Sequence, residues 1–431
     1  MTMRMNRRSM LLGGLGGAAA LSLGTLGGPA FAQAQRLRFI WWGSQERADR
    51  TMKAIAAFKT EMPDAEIVGE FAGWQDYWPR LATQVAGRNA PDVIQMDYRY
   101  LFEYARRGAL MPLDDQIGKA LKIEDFGAAN IDSGRVDGKL YAVNLGVNSS
   151  AVIYDAAAWE KAGVEPPKLG TTWEQFAANC VKFGENKPKP GYYATTDWGG
   201  SEPAFENWLR QNGKALYTPD GALGYEAADA TAWFKLWAGM RDNGACVPAD
   251  IQALDNANID ASPLTTGKAA AAYANSNQFV GFQKLNKSKL GVGGFPLLKA
   301  GGPSGHYLKP SMQLSLSATL KDPAAALRFT NFLVAEGPGV KALGIERGVP
   351  ASPAMRDLIT PELNDVDKAI VEFLDQLTPT VGPLPPSPPT GAGEFQNVLK
   401  RFNEEVGFDQ TAPEDAGTRL VDEANALLKR G

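Results

Sequence analysis

Hydrophobic and polar positions follow two periods along the chain, one typical of strands and one typical of helices. Residues 36–42 form an apolar run, and residues 47–61 carry apolar side chains at helical spacing. Residues 65–71 and 92–96 have the composition of strands, with a helical segment at residues 77–86 between them. This order predicts a βαβαβ unit. Ligands of open α/β sheets bind beyond the carboxyl ends of the strands, so the residues after each strand are the first candidates for a site.

The rest of the chain continues the alternation of predicted strands and helices, which indicates an α/β protein. Residues 139–155 are rich in strand-forming residues but are interrupted by Asn144, Gly146 and Asn148, which predicts a strand that crosses between two parts of the fold. A proline-rich run at residues 383–389 predicts a stiff surface connector. Further helices are predicted near residues 156–163, 171–174, 203–212, 227–244, 323–334 and 413–429, and strands at residues 290–297 and 312–318.

The first 32 residues have the pattern of an export signal. Arg4, Arg7 and Arg8 precede a stretch rich in Gly, Ala and Leu, and an Ala-Phe-Ala motif ends at Ala32. This pattern predicts a secretory signal cleaved after about Ala32, and the Arg7-Arg8 pair resembles a twin-arginine signal. An uncleaved N-terminal anchor is the alternative, which the glycines and the cleavage motif disfavour. We therefore expect a protein exported to the periplasm.

Charge and composition narrow the range of partners. The chain has 44 Lys and Arg residues against 48 Asp and Glu residues, and loss of a leader with three arginines and no acid changes the formal net charge from −4 to −7. A mildly acidic protein is a poor partner for nucleic acid or for an anionic membrane. No second apolar run of about 18 residues follows the leader, so no further membrane-spanning helix is predicted.

The scarcity of His and Cys argues against several chemistries. His306, Cys180 and Cys246 are widely spaced, so they do not predict a zinc site, and His306 lacks the motif context of a catalytic triad. We expect His306 on the surface or as a minor ligand contact. No phosphate-binding glycine loop is present, so no cofactor is predicted. Export permits a Cys180–Cys246 disulfide, and two buried free thiols are the alternative.

Aromatic and polar side chains follow each of the first three predicted strands. They lie at residues 41–45, at Gly73 and Trp74, and at residues 97–99. Trp41 and Trp42 are adjacent on a strand, so their side chains point to opposite faces, and we expect Trp42 to face the ligand. Apolar sugar faces stack on Trp and Tyr, while sugar hydroxyls bind Asn, Asp, Gln and Arg. The pattern fits a sugar site.

Several motifs in a fixed order carry a family resemblance. They lie at residues 138–143 (GKLYAV), 152–155 (VIYD), 159–163 (WEKAG), 171–176 (TTWEQF), 266–271 (TGKAAA), 294–297 (GFPL) and 348–352 (GVPAS). In this order they resemble the family 1 extracellular solute-binding proteins, the carbohydrate receptors of ATP-binding-cassette (ABC) importers, which include the maltose-binding protein. The pairing of residues 41–43 with Gly73 and Trp74 is similar to receptors for plant-derived oligosaccharides, including oligogalacturonide binders.

The resemblance implies a two-lobed periplasmic-binding-protein fold of type II, with three hinge crossings between the lobes. The N-terminal lobe is expected at residues 33–145 and about 297–349, and the C-terminal lobe at about 146–296 and 350–431. Such a protein captures a sugar or oligosaccharide in the cleft and delivers it to a membrane permease. It is not an enzyme, needs no cofactor or metal, and is expected to act as a monomer.

The resemblance also assigns the ligand-binding residues. They are Trp42, Ser44, Gln45, Arg47, Trp74, Asp97, Tyr98, Arg99, Asn148, Trp198, Asn275, Ser276 and Arg347. We expect Trp198 to be an exposed loop aromatic because Asp197 and a glycine pair flank it. Asp97 has an alternative role as a helix cap, and Asn148 could instead satisfy backbone groups in an irregular strand.

The charge of the ligand stays open at this point. If two of Arg47, Arg99 and Arg347 reach the cleft, they favour a carboxylated sugar such as a uronide, because Arg binds carboxylates bidentately. The favoured alternative is that these arginines pair with neighbouring carboxylates at Glu46, Asp97 or Glu346.

Two other function classes compete with a sugar receptor. An exported glycosidase or polysaccharide lyase needs a pair of carboxylates around the scissile bond, for which Asp97, Asp197 and Glu202 are candidates. A receptor for a polyamine or a peptide needs several carboxylates in its cleft, whereas the candidate residues here are mainly aromatic side chains and amides.

Overall fold

The computed structural model describes residues 35–430, so the predicted export signal lies outside the described residues. Its strands are β1 Gln35–Trp42, β2 Ala65–Ala72, β3 Val93–Met96, β4 Arg135–Val136, β5 Lys139–Leu140, β6 Val143–Asn144, β7 Val147–Asn148, β8 Ser150–Asp155, β9 Ala271–Asn275, β10 Leu290–Gly293, β11 Lys309–Pro310 and β12 Gln313–Leu316.

Sixteen α-helices lie within the same described range. They are α1 Gln45–Glu61, α2 Trp74–Ala86, α3 Tyr98–Arg106, α4 Ala128–Asp132, α5 Ala156–Lys161, α6 Trp173–Glu185, α7 Glu202–Gln211, α8 Ala227–Asp242, α9 Ala249–Gln252, α10 Phe279–Leu285, α11 Ala324–Ala335, α12 Gly337–Leu343, α13 Pro353–Ile359, α14 Asp365–Leu377, α15 Phe395–Gly407 and α16 Pro413–Arg430. In the described part of the chain, no helix is both long and apolar enough to cross a bilayer.

The predicted βαβαβ unit is confirmed and forms most of a five-stranded sheet. The strand order is β2-β1-β3-β12-β6, with β1 parallel to β2 and β3 and with β12 antiparallel to β3 and β6. The first helix begins at Gln45 rather than at residue 47, because the Ser44 side chain accepts a hydrogen bond from the backbone N–H of Arg47 and caps it. The second helix begins at Trp74 rather than at residue 77.

The predicted crossing strand at residues 139–155 passes from this sheet to a second one. It is divided into four short strands rather than one, because β6 pairs with β12 of the first sheet and β8 pairs with β9 and β10 of the second. Between them, β7 pairs with β11, and Val147 also bridges to Val349. Three chain segments therefore run side by side between the two sheets.

Hydrophobic side chains collect in three clusters. The first surrounds the five-stranded sheet and includes residues 37–145, 312–343 and Ala351. The second packs α6 to α8 against α15 and α16, and the third packs β8 and β9 against α10 and α14. Cys180 and Cys246 are buried free thiols, so of the two alternatives left open by the sequence the disulfide is the wrong one.

Candidate functional site

A cavity of about 780 Å³ lies between the two sheets. One wall consists of the residues that follow β1, β2 and β3, and the opposite wall consists of residues 196–203, 252–262 and 273–285. The carboxyl ends of the three parallel strands thus point into the cavity, as expected for an open α/β sheet. Its volume falls in the range of small-molecule sites.

Ten of the predicted site residues line this cavity. They are Trp42, Ser44, Gln45, Arg47, Trp74, Asp97, Arg99, Asn148, Trp198 and Asn275. The structure therefore brings together residues that are up to 233 positions apart in the sequence (from 42 to 275). Their role in ligand binding stays a prediction.

Tyr98, Ser276 and Arg347 do not line the cavity. Tyr98 is buried beside a separate small recess, where desolvation raises its pKa to about 12. Ser276 is fully buried, and its hydroxyl accepts a hydrogen bond from the backbone N–H of Ser149. Arg347 is buried behind the wall, where it donates hydrogen bonds to Gln95 and Thr51.

The two tryptophans at the end of β1 face opposite ways, as the strand period predicts. Trp42 lines the cavity, and its ring centroid lies 5.2 Å from that of Trp74 and 5.5 Å from that of Trp78. Trp41 stacks on Phe71 on the other face, at 6.0 Å between centroids. The strand thus places one tryptophan in the core and one against the cavity.

Trp74 is the half-buried aromatic at the start of α2. Its ring lies against the guanidinium of Arg99, with Cζ 4.9 Å from the ring centroid. Its backbone N–H donates to the side-chain carbonyl of Asn258 on the opposite wall, at 3.1 Å. Gly73 allows this approach, because a Cβ there would lie 2.7 Å from the Asn258 amide nitrogen. Trp74 is therefore positioned where the two walls meet.

The expectation that Trp198 is exposed is wrong. Only 1% of its surface is accessible, and its ring stacks on Phe176 with 5.1 Å between centroids. Its indole N–H donates to the Thr196 hydroxyl at 3.0 Å. The adjacent Asp197 turns the loop inward, because its carboxylate accepts from the Gly199 N–H and pairs with Arg241. Trp198 thus contributes a rigid wall rather than a mobile loop side chain.

The arginines that reach the cavity pair with carboxylates of the protein. Arg47 is buried and lies 2.8 Å from Glu346, and Arg99 lies 3.1 Å from Asp97. Asp97 also pairs with Lys309 at 2.9 Å and caps α3 by accepting from the Arg99 N–H. Burial opposes its ionisation, but Lys309 and Arg99 outweigh that effect and hold the pKa of Asp97 well below its usual value. The favoured pairing with a neighbouring carboxylate is confirmed for Arg99 with Asp97. Arg47 pairs instead with Glu346, 299 positions away, and not with its neighbour Glu46.

An amide cluster forms the floor of the cavity. The Asn148 amide N–H donates to the side-chain carbonyl of Asn277 at 2.7 Å, and the Asn277 amide N–H donates to the backbone carbonyl of Glu346 at 2.7 Å. The side-chain oxygen of Asn148 is buried and has no protein partner. It is therefore a buried acceptor whose hydrogen bond no protein group supplies, in a residue that borders the cavity.

Sequence reasoning missed several residues of the wall. Asn277 rather than Ser276 lines the cavity, although both belong to the Asn-Ser-Asn motif that follows β9. Lys309 and Glu346 also line it, and they form ion pairs with Asp97 and Arg47. Glu346 was a candidate because it lies beside Arg347, whereas nothing in the sequence indicated Lys309. Each of the two lies more than 200 positions from its ion-pair partner, so no local pattern predicts the pairs.

His306 is buried, which corrects its expected surface position. Its Nδ1 lies 3.2 Å from the Ser149 hydroxyl, and it does not line the cavity. Burial and the nearby Arg210 lower its pKa to about 3, so the ring is neutral near pH 7.

Behind the cavity wall lies a group of buried charges on α7 and the neighbouring elements. Glu202 lies 3.6 Å from Arg99, and burial raises its pKa to about 7. Glu206 accepts a hydrogen bond from the Tyr307 hydroxyl at 2.8 Å, and burial raises its pKa as well. Both glutamates line the small recess rather than the main cavity.

Comparison with known proteins agrees with this architecture. Residues 42–339, well over half of the chain, match the family described as bacterial extracellular solute-binding protein. A solved structure of a family 1 extracellular solute-binding protein from Alicyclobacillus acidocaldarius is 31% identical, covers 91% of this chain and 98% of its own, and has a TM-score of 0.65.

Two further relatives are more distant. The periplasmic oligogalacturonide binding protein of Yersinia enterocolitica, solved with saturated digalacturonic acid, is 23% identical, covers 92% of this chain and 99% of its own, and has a TM-score of 0.82. A probable sugar-binding periplasmic protein of Rhizobium meliloti is 28% identical over 162 residues, 37% of this chain and 38% of that protein. Three other curated relatives align over 46% of their length, so the chain spans half or less of these relatives.

The two-lobed periplasmic-binding-protein fold predicted from the sequence is confirmed by these structures. The sequence match, the full-length likeness at 31% identity and the cavity between two sheets agree. The chain belongs to the bacterial extracellular solute-binding proteins.

Proposed function

We propose that the chain is the substrate-binding protein of an ABC transporter and captures a sugar or oligosaccharide in the cavity. The observation that carries this proposal is the combination of aromatic rings with an unpaired buried acceptor. Trp42 and Trp74 offer surfaces for the apolar faces of sugar rings, and the Asn148 side-chain oxygen accepts from a hydroxyl. The sugar-binding name of the Rhizobium relative supports the same ligand class.

The walls of the cavity belong to two lobes that close on the ligand in this proposal. The three adjacent segments around Gly146, Lys309 and Gly348 are then the hinge crossings. Residues 297–308 contact the part of the chain that surrounds the second sheet, because Leu297 forms a β-bridge with Thr172 and His306 contacts Ser149. We accordingly move the proposed boundary of the N-terminal lobe from residue 297 to about residue 309.

Delivery to a membrane permease follows from the same closure. A sugar that contacts both walls binds the closed form more tightly than the open form and shifts the population toward it. The permease then distinguishes the closed surface from the open one. We propose that the exported chain does this in the periplasm as a monomer.

The competing enzyme hypothesis finds less support in the site. Asp97 is bound by two cations, and Asp197 is bound by Arg241, so neither carboxylate is free to act as a nucleophile. Glu202 has the raised pKa expected of a general acid, but it lines the small recess and not the cavity. A hydrolase needs two carboxylates that flank one bond.

The experiment is incubation with a panel of neutral, amine-bearing and acidic oligosaccharides, followed in parallel by tryptophan fluorescence and by chromatography. A saturable fluorescence change with unaltered sugar supports the receptor. Formation of product would instead support the glycosidase or lyase, and no response to any sugar would contradict the ligand class.

A further inference from the structure

Every cation that lines the cavity in the described residues already has a carboxylate within 4 Å. The pairs are Arg47 with Glu346 at 2.8 Å, Arg99 with Asp97 at 3.1 Å, Lys309 with Asp97 at 2.9 Å, Lys284 with Glu46 at 3.4 Å and Lys400 with Glu404 at 3.8 Å. Arg99 and Lys309 share the single carboxylate of Asp97. At Arg47, Lys284 or Lys400, a ligand carboxylate would have to displace a protein carboxylate and leave that group unpaired.

Three lining carboxylates in the described range have no such cation. Asp49 accepts from the Gln45 amide, and Asp260 accepts from the backbone N–H of Ala261. The Asp255 carboxylate accepts a hydrogen bond from the backbone N–H of Ala257. The Lys400 ammonium donates to the backbone carbonyl of Asp255 and not to the Asp255 carboxylate. The residues that line the cavity therefore include eight carboxylates and five cations, which is an excess of three negative charges.

A second, independent observation concerns hydrogen bonding. Asn148 lines the cavity and is 2% exposed, and its buried side-chain oxygen has no protein partner. It can only accept, so the ligand group next to it must donate. A hydroxyl or an amine meets that need, whereas a carboxylate does not.

Arg347 is the one buried arginine close to the site that lacks a carboxylate partner among the described ion pairs. It does not line the cavity, and its donors point to Gln95 and Thr51. Burial and the neighbouring Arg47 lower its pKa to about 9. It therefore cannot form the bidentate contact that a uronide would require.

Resting on the proposed sugar-binding function, we infer that the cavity selects against carboxylated sugars and favours an amine-bearing saccharide over its neutral counterpart. The recognising groups are Asp49, Asp255 and Asp260 for the amine and Asn148 for a neighbouring donor. Burial raises the pKa of Asp255, and an ammonium beside it would offset that cost. The ligand class thus differs from the digalacturonic acid bound by the Yersinia neighbour.

The direct test is calorimetric titration with matched sugars that differ only in charge. The probes are glucose, glucosamine and glucuronic acid, the galactose series, and the corresponding 1,4-linked dimers. We expect the amine to bind several-fold more tightly than the neutral sugar in at least one series, and the uronide to bind at least tenfold more weakly. A uronide that binds as tightly as its neutral counterpart would overturn the inference and leave the proposed function intact.

A second measurement needs no sugar. Tryptophan fluorescence of the wild-type protein and of Trp74→Phe is quenched with caesium, with iodide and with neutral acrylamide. The difference between the two proteins gives the quenching of Trp74 itself. An acidic cavity concentrates caesium and repels iodide, so we expect the ratio of caesium to iodide quenching at Trp74 to exceed the ratio for free N-acetyltryptophanamide. A ratio at Trp74 that equals or falls below that of the free compound would overturn the inference even if no sugar bound.

The charge variants complete the design. Asp49→Asn, Asp255→Asn and Asp260→Asn together should remove most of the caesium preference. The control variant carries Asp115→Asn, Asp357→Asn and Asp375→Asn, which remove the same charge from exposed positions outside the cavity lining. If the first triple variant does not fold, the double variant at the exposed Asp49 and Asp260 tests the same effect. An equal change in both charge variants would show that net charge, and not the cavity, is responsible.

Discussion

At the scale of single residues, the proposed site consists of side chains that contacts within the protein hold in place. Trp42 and Trp74 pack on each other, and Asn148 is fixed by Asn277. A preformed wall loses little conformational freedom on binding, which favours affinity. The exposed parts of these groups are therefore the sharpest targets for mutation.

Trp74→Ala should weaken binding of any sugar found in the screen by tenfold or more, because the stacking surface is lost. Trp74 also packs on Trp78 and Tyr100, so we expect a loss of unfolding free energy of about 1 to 3 kcal/mol. The matched control is Trp41→Phe, whose ring lies on the opposite face of β1. It should lower stability and leave affinity unchanged in calorimetry. The same affinity loss in both variants would contradict the placement.

Asn148→Ala tests the buried acceptor. Removal of the amide leaves Asn277 without one hydrogen bond, so a stability loss of about 1 kcal/mol is expected. A larger effect is expected on affinity, because the ligand loses its acceptor as well. Asn148→Asp keeps an acceptor and adds a charge, and it should strengthen binding of an amine-bearing sugar relative to a neutral one. Unchanged affinity in Asn148→Ala would remove this residue from the site.

Glu202 should make stability depend on pH. Burial, opposed by Arg99 and reinforced by Glu206 and Asp97, raises its pKa in the folded protein to about 7, above the ordinary value of 4.5. A group with a raised folded pKa contributes full stability below its unfolded pKa and loses it as the pH rises toward 7.

Replacement by Gln isolates this contribution. Relative to Glu202→Gln, the wild-type protein should therefore lose about 2 to 3 kcal/mol of unfolding free energy between pH 4.5 and pH 8. Urea unfolding of both proteins across this range provides the measurement. Parallel pH profiles would show that Glu202 ionises normally.

At the scale of elements, hydrophobic periodicity predicted the βαβαβ unit and several later helices, but it did not predict α3 or the helices α12 to α15, and it did not predict the contacts between elements. β1, β2 and β3 were predictable because each is a short apolar run bounded by turn residues. The division of residues 139–155 into four strands was not, because it depends on which partner strand each segment meets. Likewise, the Arg47–Glu346 pair joins residues 299 positions apart, and no local pattern encodes it.

Gly146 lies in one of the three adjacent chain segments between the two sheets, and the neighbouring segment leaves no space for a side chain at this position. A Cβ there would lie 2.6 Å from the Val349 carbonyl oxygen, which is backbone and cannot turn aside. Gly146→Ala should thus destabilise the protein by about 1 to 3 kcal/mol through overpacking. If these segments are hinges, it should also change sugar affinity.

Gly239→Ala is the matched control in α8, where an added Cβ meets nothing within 4 Å. It should stabilise the helix by about 0.5 to 1 kcal/mol and leave affinity unchanged. Chemical denaturation of both variants measures the difference. Equal effects would show that the crossing segments tolerate the extra volume.

At the scale of the whole molecule, the proposed receptor function requires closure around the ligand. The cavity is bounded by both sheets, so a sugar that contacts both walls should favour a more compact form. Small-angle scattering should show a smaller radius of gyration at saturating ligand for the wild-type protein. Trp74→Ala at the same ligand concentration should show little change, since its site is unsaturated. An unchanged radius in a saturated wild-type protein would contradict closure.

Fold class and cavity wall could thus be anticipated from the order of motifs and from the strand-end rule. Ligand charge could not, because it depends on ion pairs between distant parts of the chain. The sequence favoured pairing of Arg47 and Arg99 with protein carboxylates, but only the folded chain shows that the partner of Arg47 is the distant Glu346. The excess of Asp49, Asp255 and Asp260 appears only once the walls are assembled.

The most direct test of the central claim is titration of the wild-type protein and Trp74→Ala with the charge-matched sugars, with chromatography of each mixture afterwards. We predict saturable binding to the wild-type protein, at least tenfold weaker binding to Trp74→Ala, and sugar recovered unchanged. Binding that is equal in the two proteins, or the appearance of a cleaved product, would contradict the account.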